Sequence, residues 1–134
     1  MGKFRRTMIR FLYAFAVIVL IGVIAFKGWS SKMVKEASQI EDVIIDVSQV
    51  EDGVYDGYSE MGPVVVDVRV TMKSGRIEDI EIIRHQNGLG QSANAIIDDM
   101  VKKNTYDVDA VSGATVSSEI IMNAVNNALQ KGIR

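Results

Sequence analysis

The sequence has no cysteine, one histidine, one proline and one tryptophan in 134 residues. Without thiols there are no disulfides, no thiolate metal sites, no iron–sulfur cluster and no covalently attached haem. A lone imidazole, His85, also excludes metal centres built from several histidines. Basic surface is scarce as well. All 17 acidic residues follow Lys27, together with only ten of the 15 basic ones, so this larger part carries a formal −7. Such a surface is a poor match for nucleic acid. The residues also supply no nucleophile, base and orienter set of the kind that catalysis on an organic substrate requires.

What is there begins with an apolar run. Phe11 to Phe26 are 16 uncharged, mostly apolar positions between Arg10 and Lys27, a helix of about 24 Å against a hydrocarbon core of about 30 Å. Met8 and Ile9 lengthen the run, and Arg10 and Lys27 can extend their charges to the headgroups. It predicts a transmembrane signal anchor over 11–27. Lys3, Arg5, Arg6 and Arg10 precede it, which keeps residues 1–10 in the cytoplasm and sends the remainder outside. A cleaved signal peptide is the alternative, although no A-x-A-like site follows in Lys27-Gly28-Trp29-Ser30-Ser31.

Residues 28–50 form a membrane-proximal linker. Met33, Ala37, Ile40 and Ile44 recur at spacings that suit a short amphipathic helix, with a charged tether as the alternative. Val43-Ile44-Ile45 is too apolar to leave in water, and is expected to pack on the domain or to begin a strand.

The domain itself spans 51–134. Val54 to Ser59 alternates in the manner of a strand after the turn signal Glu51-Asp52-Gly53. Val64, Val66, Val68, Val70 and Met72 lie on one face of a second strand, with Val65, Asp67, Arg69 and Thr71 on the other. Lys73-Ser74-Gly75-Arg76 reads as a hairpin loop. Ile77 to Arg84 returns antiparallel, Ile80 and Ile82 facing opposite to Glu81 and Ile83. Gln91 to Lys103 is an amphipathic helix with Ala93, Ile96, Ile97, Met100 and Val101 inward. The last helix carries Ile120, Ile121, Ala124, Val125, Ala128 and Leu129 on one face and ends at Lys131 and Gly132, the position where a left-handed glycine is common. The order indicates an α+β domain: a small antiparallel sheet covered by two amphipathic helices, preceded by one transmembrane helix.

Between the two helices lies the stretch richest in chemistry, Asp109-Ala110-Val111-Ser112-Gly113-Ala114-Thr115-Val116-Ser117-Ser118. Small residues and hydroxyls at a loop-to-helix junction let the backbone approach a ligand, and the unpaired helix amides suit a phosphate. Ser117 and Ser118 are candidate donors or caps, and Asp109 is a candidate either to hold the loop amides or to orient the incoming hydroxyl during transfer. His85-Gln86-Asn87-Gly88-Leu89-Gly90 is a second candidate, a tight loop at a strand end that could lie against a flat ring. Tyr55, Tyr58 and Tyr106 either stack on such a ring or simply pack.

Asp109-x-x-Ser112-Gly113-Ala114-Thr115 resembles the D-x-x-S/T-G-A-T signature of the FMN-binding domain family, which includes the flavin-carrying subunits of the sodium-pumping NADH:quinone oxidoreductase and Rnf complexes. Asp52-Gly53-Val54-Tyr55-Asp56-Gly57 is similar to the family's opening pattern. Gly88-Leu89-Gly90 matches the family's glycine loop, but His85-Gln86-Asn87 stands where the respiratory subunits have Glu-Thr-Pro, and resembles the shorter H-x-x-G-x-G form of small stand-alone members. The resemblance implies FMN, carried on Thr115 as a phosphoester by the action of an FAD-dependent flavin transferase, with Ser112, Gly113, Ala114, Asp109, Ser117, Ser118, His85, Gly88, Leu89 and Gly90 around it. It further implies an electron carrier served by a membrane redox donor or quinone-linked dehydrogenase. A non-covalent FMN binder and a flavin-free structural or sensory module are the alternatives.

Overall fold

The computed structural model describes residues 2–37, 43–86 and 91–133, which fall into two compact units, Met1–Lys35 and Glu36–Arg134. The first unit is one helix, α1 (Gly2–Ala37). Within it Arg6–Trp29 is long and apolar enough to cross a membrane, with a mean hydropathy of 2.5 and none of that window buried. The linker helix expected from Met33, Ala37, Ile40 and Ile44 is not a separate element: α1 runs on to Ala37, Ile40 lies outside the described residues, and Ile44 is 94% exposed in non-helical chain.

In the second unit residues 43–46 lie along the domain. Ile45 and Val47 are buried, and the Val43 carbonyl accepts hydrogen bonds from Asn126 Nδ2 (2.7 Å) and Tyr106 Oη (3.3 Å). The apolar triplet therefore packs through one side chain and one carbonyl. A 3-10 turn, Val47–Gln49, follows, with Asp46 as its cap through Ser48 N and Ser48 Oγ.

Three antiparallel strands in the order β1-β2-β3 form the sheet: β1 (Gly53–Met61), β2 (Val64–Lys73) and β3 (Arg76–Gln86). Each hairpin has two loop residues. Gly62 (φ +56) with Pro63 joins the first pair, while Ser74 (φ +54) and Gly75 (φ +71) join the second. Positive φ at these places matches the right-handed strand twist. As the alternation predicts, Val64, Val66, Val68, Val70 and Met72 are all buried.

The β3 register contains two irregularities. Glu78 is the extra residue between the pairs Met72↔Ile77 and Thr71↔Asp79, and Ile83 is the extra residue between Val68↔Ile82 and Asp67↔Arg84. Each bulge reverses the alternation of faces. Ile77 and Ile80, three apart, are thereby both buried, and beyond Ile83 Arg84 sits opposite Asp67 while His85 sits opposite the fully buried Val66.

Residues 91–103 split into a 3-10 turn, Gln91–Ala95, and α2 (Ile96–Lys103). α2 buries Ile96 and Met100 and keeps Asp98, Asp99, Lys102 and Lys103 outside. It ends at Asn104 in the left-handed region (φ +54), whose side chain accepts from Ile77 N and donates to Gly75 O. α3 (Thr115–Gln130) lies across β1 and β2. It comes so close to β1 that a Cβ on Gly57 would stand 2.0 Å from the Ala124 carbonyl oxygen. Asn127 and Lys131 of its C-terminal half donate to the Tyr58 and Asp56 carbonyls, which occupies acceptors on an edge strand. Gly132 follows without a positive φ; there a Cβ would meet Val50 Cγ1 and the Tyr55 ring at 2.6 Å, so the glycine answers to packing rather than to a left-handed cap.

Candidate functional site

Geometry at the motif starts with a turn. Ala114 N donates to Val111 O (2.9 Å), and Gly113 supplies the positive φ (+83) that the third position of such a turn demands. Ser112 and Gly113 are exposed, and a Cβ on Gly113 would meet nothing within 4 Å. Gly113 is thus required for its backbone angle and leaves the surface beside it open. Ala114 points its methyl group inward.

Thr115 is the first residue of α3 and is half-buried at the open junction. The first helix amides have no intrahelical partners. Ser118 N begins the ladder by donating to Ala114 O (2.9 Å), and among the described residues no carbonyl accepts from the amides of Thr115 and Val116. The N-cap residue, Ala114, has no side chain that can cap them. Two adjacent donors at the positive end of a helix dipole form a seat for an anion.

Ser117 and Ser118 are turned into the protein and are buried. The Ser118 hydroxyl accepts from Val111 N (3.0 Å) and donates to Ala114 O (2.9 Å), which clamps both ends of the turn. Among the described residues the exposed Asp109 carboxylate accepts no hydrogen bond from the motif amides, so holding the loop falls to Ser118, whose hydroxyl already takes the Val111 amide.

The second candidate region begins with His85 at the end of the sheet toward which the N-terminal half of α3 runs. Register puts Ser59, Val66 and His85 in one row across β1, β2 and β3, on the covered face. Ser59 Oγ donates to Asn123 Oδ1 of α3 (2.7 Å), while the contacts of Asn127 and Lys131 lie further back along β1. Descending α3 from Lys131 to Asn123 therefore ascends β1, and Thr115 lies a further eight residues, about 12 Å, toward and past this end. His85 Nδ1 is 2.6 Å from Asn94 Oδ1, and His85 Nε2 is buried with no hydrogen-bond partner among the described residues. Gly88, Leu89 and Gly90 lie outside the described residues. The three tyrosines are otherwise engaged: Tyr55 Oη donates to Glu51 O, Tyr106 to Val43 O, and Tyr58 to Glu60 on the opposite face of the sheet.

Asn94 is the residue that sequence reasoning left on a solvated helix face. Its partner was hidden by phase: uninterrupted alternation from Ile80 and Ile82 puts His85 on the open face. The three-residue spacing of Ile77 and Ile80 was the available sign that β3 is not regular.

A family model described as the FMN-binding domain matches residues 57–130. A Treponema pallidum (strain Nichols) protein, itself uncharacterized, is 31% identical over 87 residues, which is 63% of this chain and 24% of that protein. The chain thus spans about a quarter of that relative's length. A Clostridium perfringens protein of known crystal structure aligns over 62% of this chain and 88% of its own, at 15% identity and a TM-score of 0.49.

Proposed function

The chain belongs to the FMN-binding domain family, whose cofactor is FMN, and from this premise we propose that it is a membrane-anchored, extracytoplasmic flavoprotein carrying FMN as a phosphoester on Thr115. The observation that carries this reading is the position of Thr115: a half-buried hydroxyl at an open turn, beside two helix amides from which no carbonyl among the described residues accepts. These groups fit a phosphate in charge and in hydrogen bonding. The orphaned, buried Nε2 of His85 at the same end of the sheet fits a polar edge of the ring system.

Within that arrangement the Thr115 hydroxyl holds the phosphate, the amides of Thr115 and Val116 balance its charge, and the exposed Ser112 hydroxyl is a further donor. Gly113 keeps the turn in its shape and Ser118 keeps it from opening. When bound, FMN supplies a centre that takes up two electrons and releases them singly or in pairs. The residues around it set orientation and electrostatics. In this reading the domain is a carrier, fed by a membrane redox donor such as a quinone-linked dehydrogenase and emptied by an external acceptor. The FAD-dependent flavin transferase needs to reach Thr115 from outside, which the exposed Ser112-Gly113 turn permits. The helix Arg6–Trp29, retained as an anchor, raises the concentration of the carrier near membrane partners.

Mass measurement of the Thr115 peptide, from chain coproduced with the transferase, tests the proposal. The expected result is an added FMN phosphoryl ester, fluorescence that migrates with the polypeptide on a denaturing gel, and loss of both in Thr115→Ala. A coloured protein whose flavin leaves on denaturation overturns the ester and retains FMN binding. A protein that stays colourless after coproduction overturns the carrier.

A further inference from the structure

We propose that Asn94 is a positioning residue that holds His85 as its Nδ1–H tautomer and so presents Nε2 as a buried acceptor to an N–H or O–H donor of the flavin; the second half of this rests on the flavin reading above. Three observations lead there. First, the extra residue Ile83 re-phases β3 and turns His85 to the covered face, opposite Val66. Arg84 goes the other way and pairs with Asp67 at 2.5 Å.

Second, His85 Nδ1 lies 2.6 Å from Asn94 Oδ1. An amide oxygen only accepts, so Nδ1 carries the proton, and in a neutral imidazole the other nitrogen is then a bare acceptor. Asn94 is able to do this because its turn is fixed from both sides, by the fully buried Ala93 and by Ile96 at the start of α2. Third, Nε2 is buried and has no partner among the described residues. A buried acceptor left unpaired is unfavourable. The missing group is a donor. Flavin offers the N3–H and the ribityl hydroxyls in every redox state, and N5–H after reduction.

If the pair were only a staple between β3 and the 3-10 turn, Nε2 would be indifferent to flavin and the Nδ1 contact would matter to stability alone. Nitrogen-15 NMR of the full chain in detergent, made with and without the flavin transferase, separates the two. In flavin-free protein His85 is expected as the Nδ1–H tautomer. Asn94→Ala should return it to the Nε2–H form that free imidazole prefers, and Asn94→Asp, which keeps an acceptor oxygen, should retain Nδ1–H. On loading with FMN the Nε2 resonance should move. Asn94→Ala and His85→Ala should then displace the flavin absorbance in the same direction. An Nε2–H tautomer in the unmodified flavin-free chain overturns the role of Asn94. An Nε2 resonance and a flavin spectrum indifferent to loading and to both alanine variants overturn the acceptor. A chain that takes no flavin fails the preceding proposal and the acceptor with it, whereas the flavin-free tautomer judges Asn94 alone.

Discussion

Gly57 and Gly113 are glycines for opposite reasons. At Gly57 the difficulty is space, since α3 backbone already fills the volume a methyl group would need. At Gly113 space is free and the difficulty is the left-handed backbone angle. Gly57→Ala should therefore force α3 away from β1 at a cost of about 1–3 kcal/mol or more. Gly113→Ala should cost about 1–2 kcal/mol through strain alone. Urea midpoints of the two variants check the order, with Gly57→Ala the lower. Ser118→Ala leaves the Val111 amide without its acceptor, and a loss of about 1–3 kcal/mol is expected. Because the same hydroxyl clamps the turn before Thr115, flavin attachment should also fall, as read by intact mass after coproduction with the transferase. The sequence announced a hydroxyl at position 118, but not that it would face inward: side-chain direction there depends on how α3 settles on the sheet.

β3 is the element whose phase decides the most. Deleting Ile83 removes the unpaired residue while Ile82 stays opposite Val68, so Arg84 should remain opposite Asp67 and His85 opposite Val66, with the Asp67–Arg84 pair and the His85–Asn94 bond both kept. The expected readout is a retained Nδ1–H signal of His85 in the flavin-free chain, and its loss would contradict this register. The outer face of the sheet has its own pH signature. A hydrogen bond from Arg69 (2.8 Å) holds the Asp56 carboxyl below its usual range, and Asp46 is held low by Ser48. A carboxyl lowered by folding stabilises the folded state above its unfolded pKa, and that contribution is lost as pH falls from about 4 through the folded value. Both groups are open to solvent, so the effect is small and weakened by salt. Stability of Asp56→Asn should trail that of the parent slightly at pH 7 and converge with it in strong acid, as followed by denaturant titration across pH.

At the scale of the whole molecule, the chain combines an exposed apolar helix with a domain that has its own core. The full chain should sediment with membranes and resist high-salt washing, because burial of the Arg6–Trp29 segment is hydrophobic rather than ionic. Removing residues 1–35 should release a soluble chain that still unfolds cooperatively, since the core from Ile45 to Leu129 belongs entirely to the second unit. A truncated chain that aggregates or melts without a transition would contradict this.

The apolar helix, the alternating valines of β2, the apolar face of α3 and the small-residue motif ending in Thr115 were determined by sequence alone, because each is a local repeat or a local composition. The inward turn of Ser118, the tight seat of Gly57 and the meeting of His85 with Asn94 were decided only by tertiary structure. The reason is phase: one unpaired residue in a strand reverses every side chain after it, and cross-strand hydrogen bonds, not the strand's own pattern, determine where that residue falls.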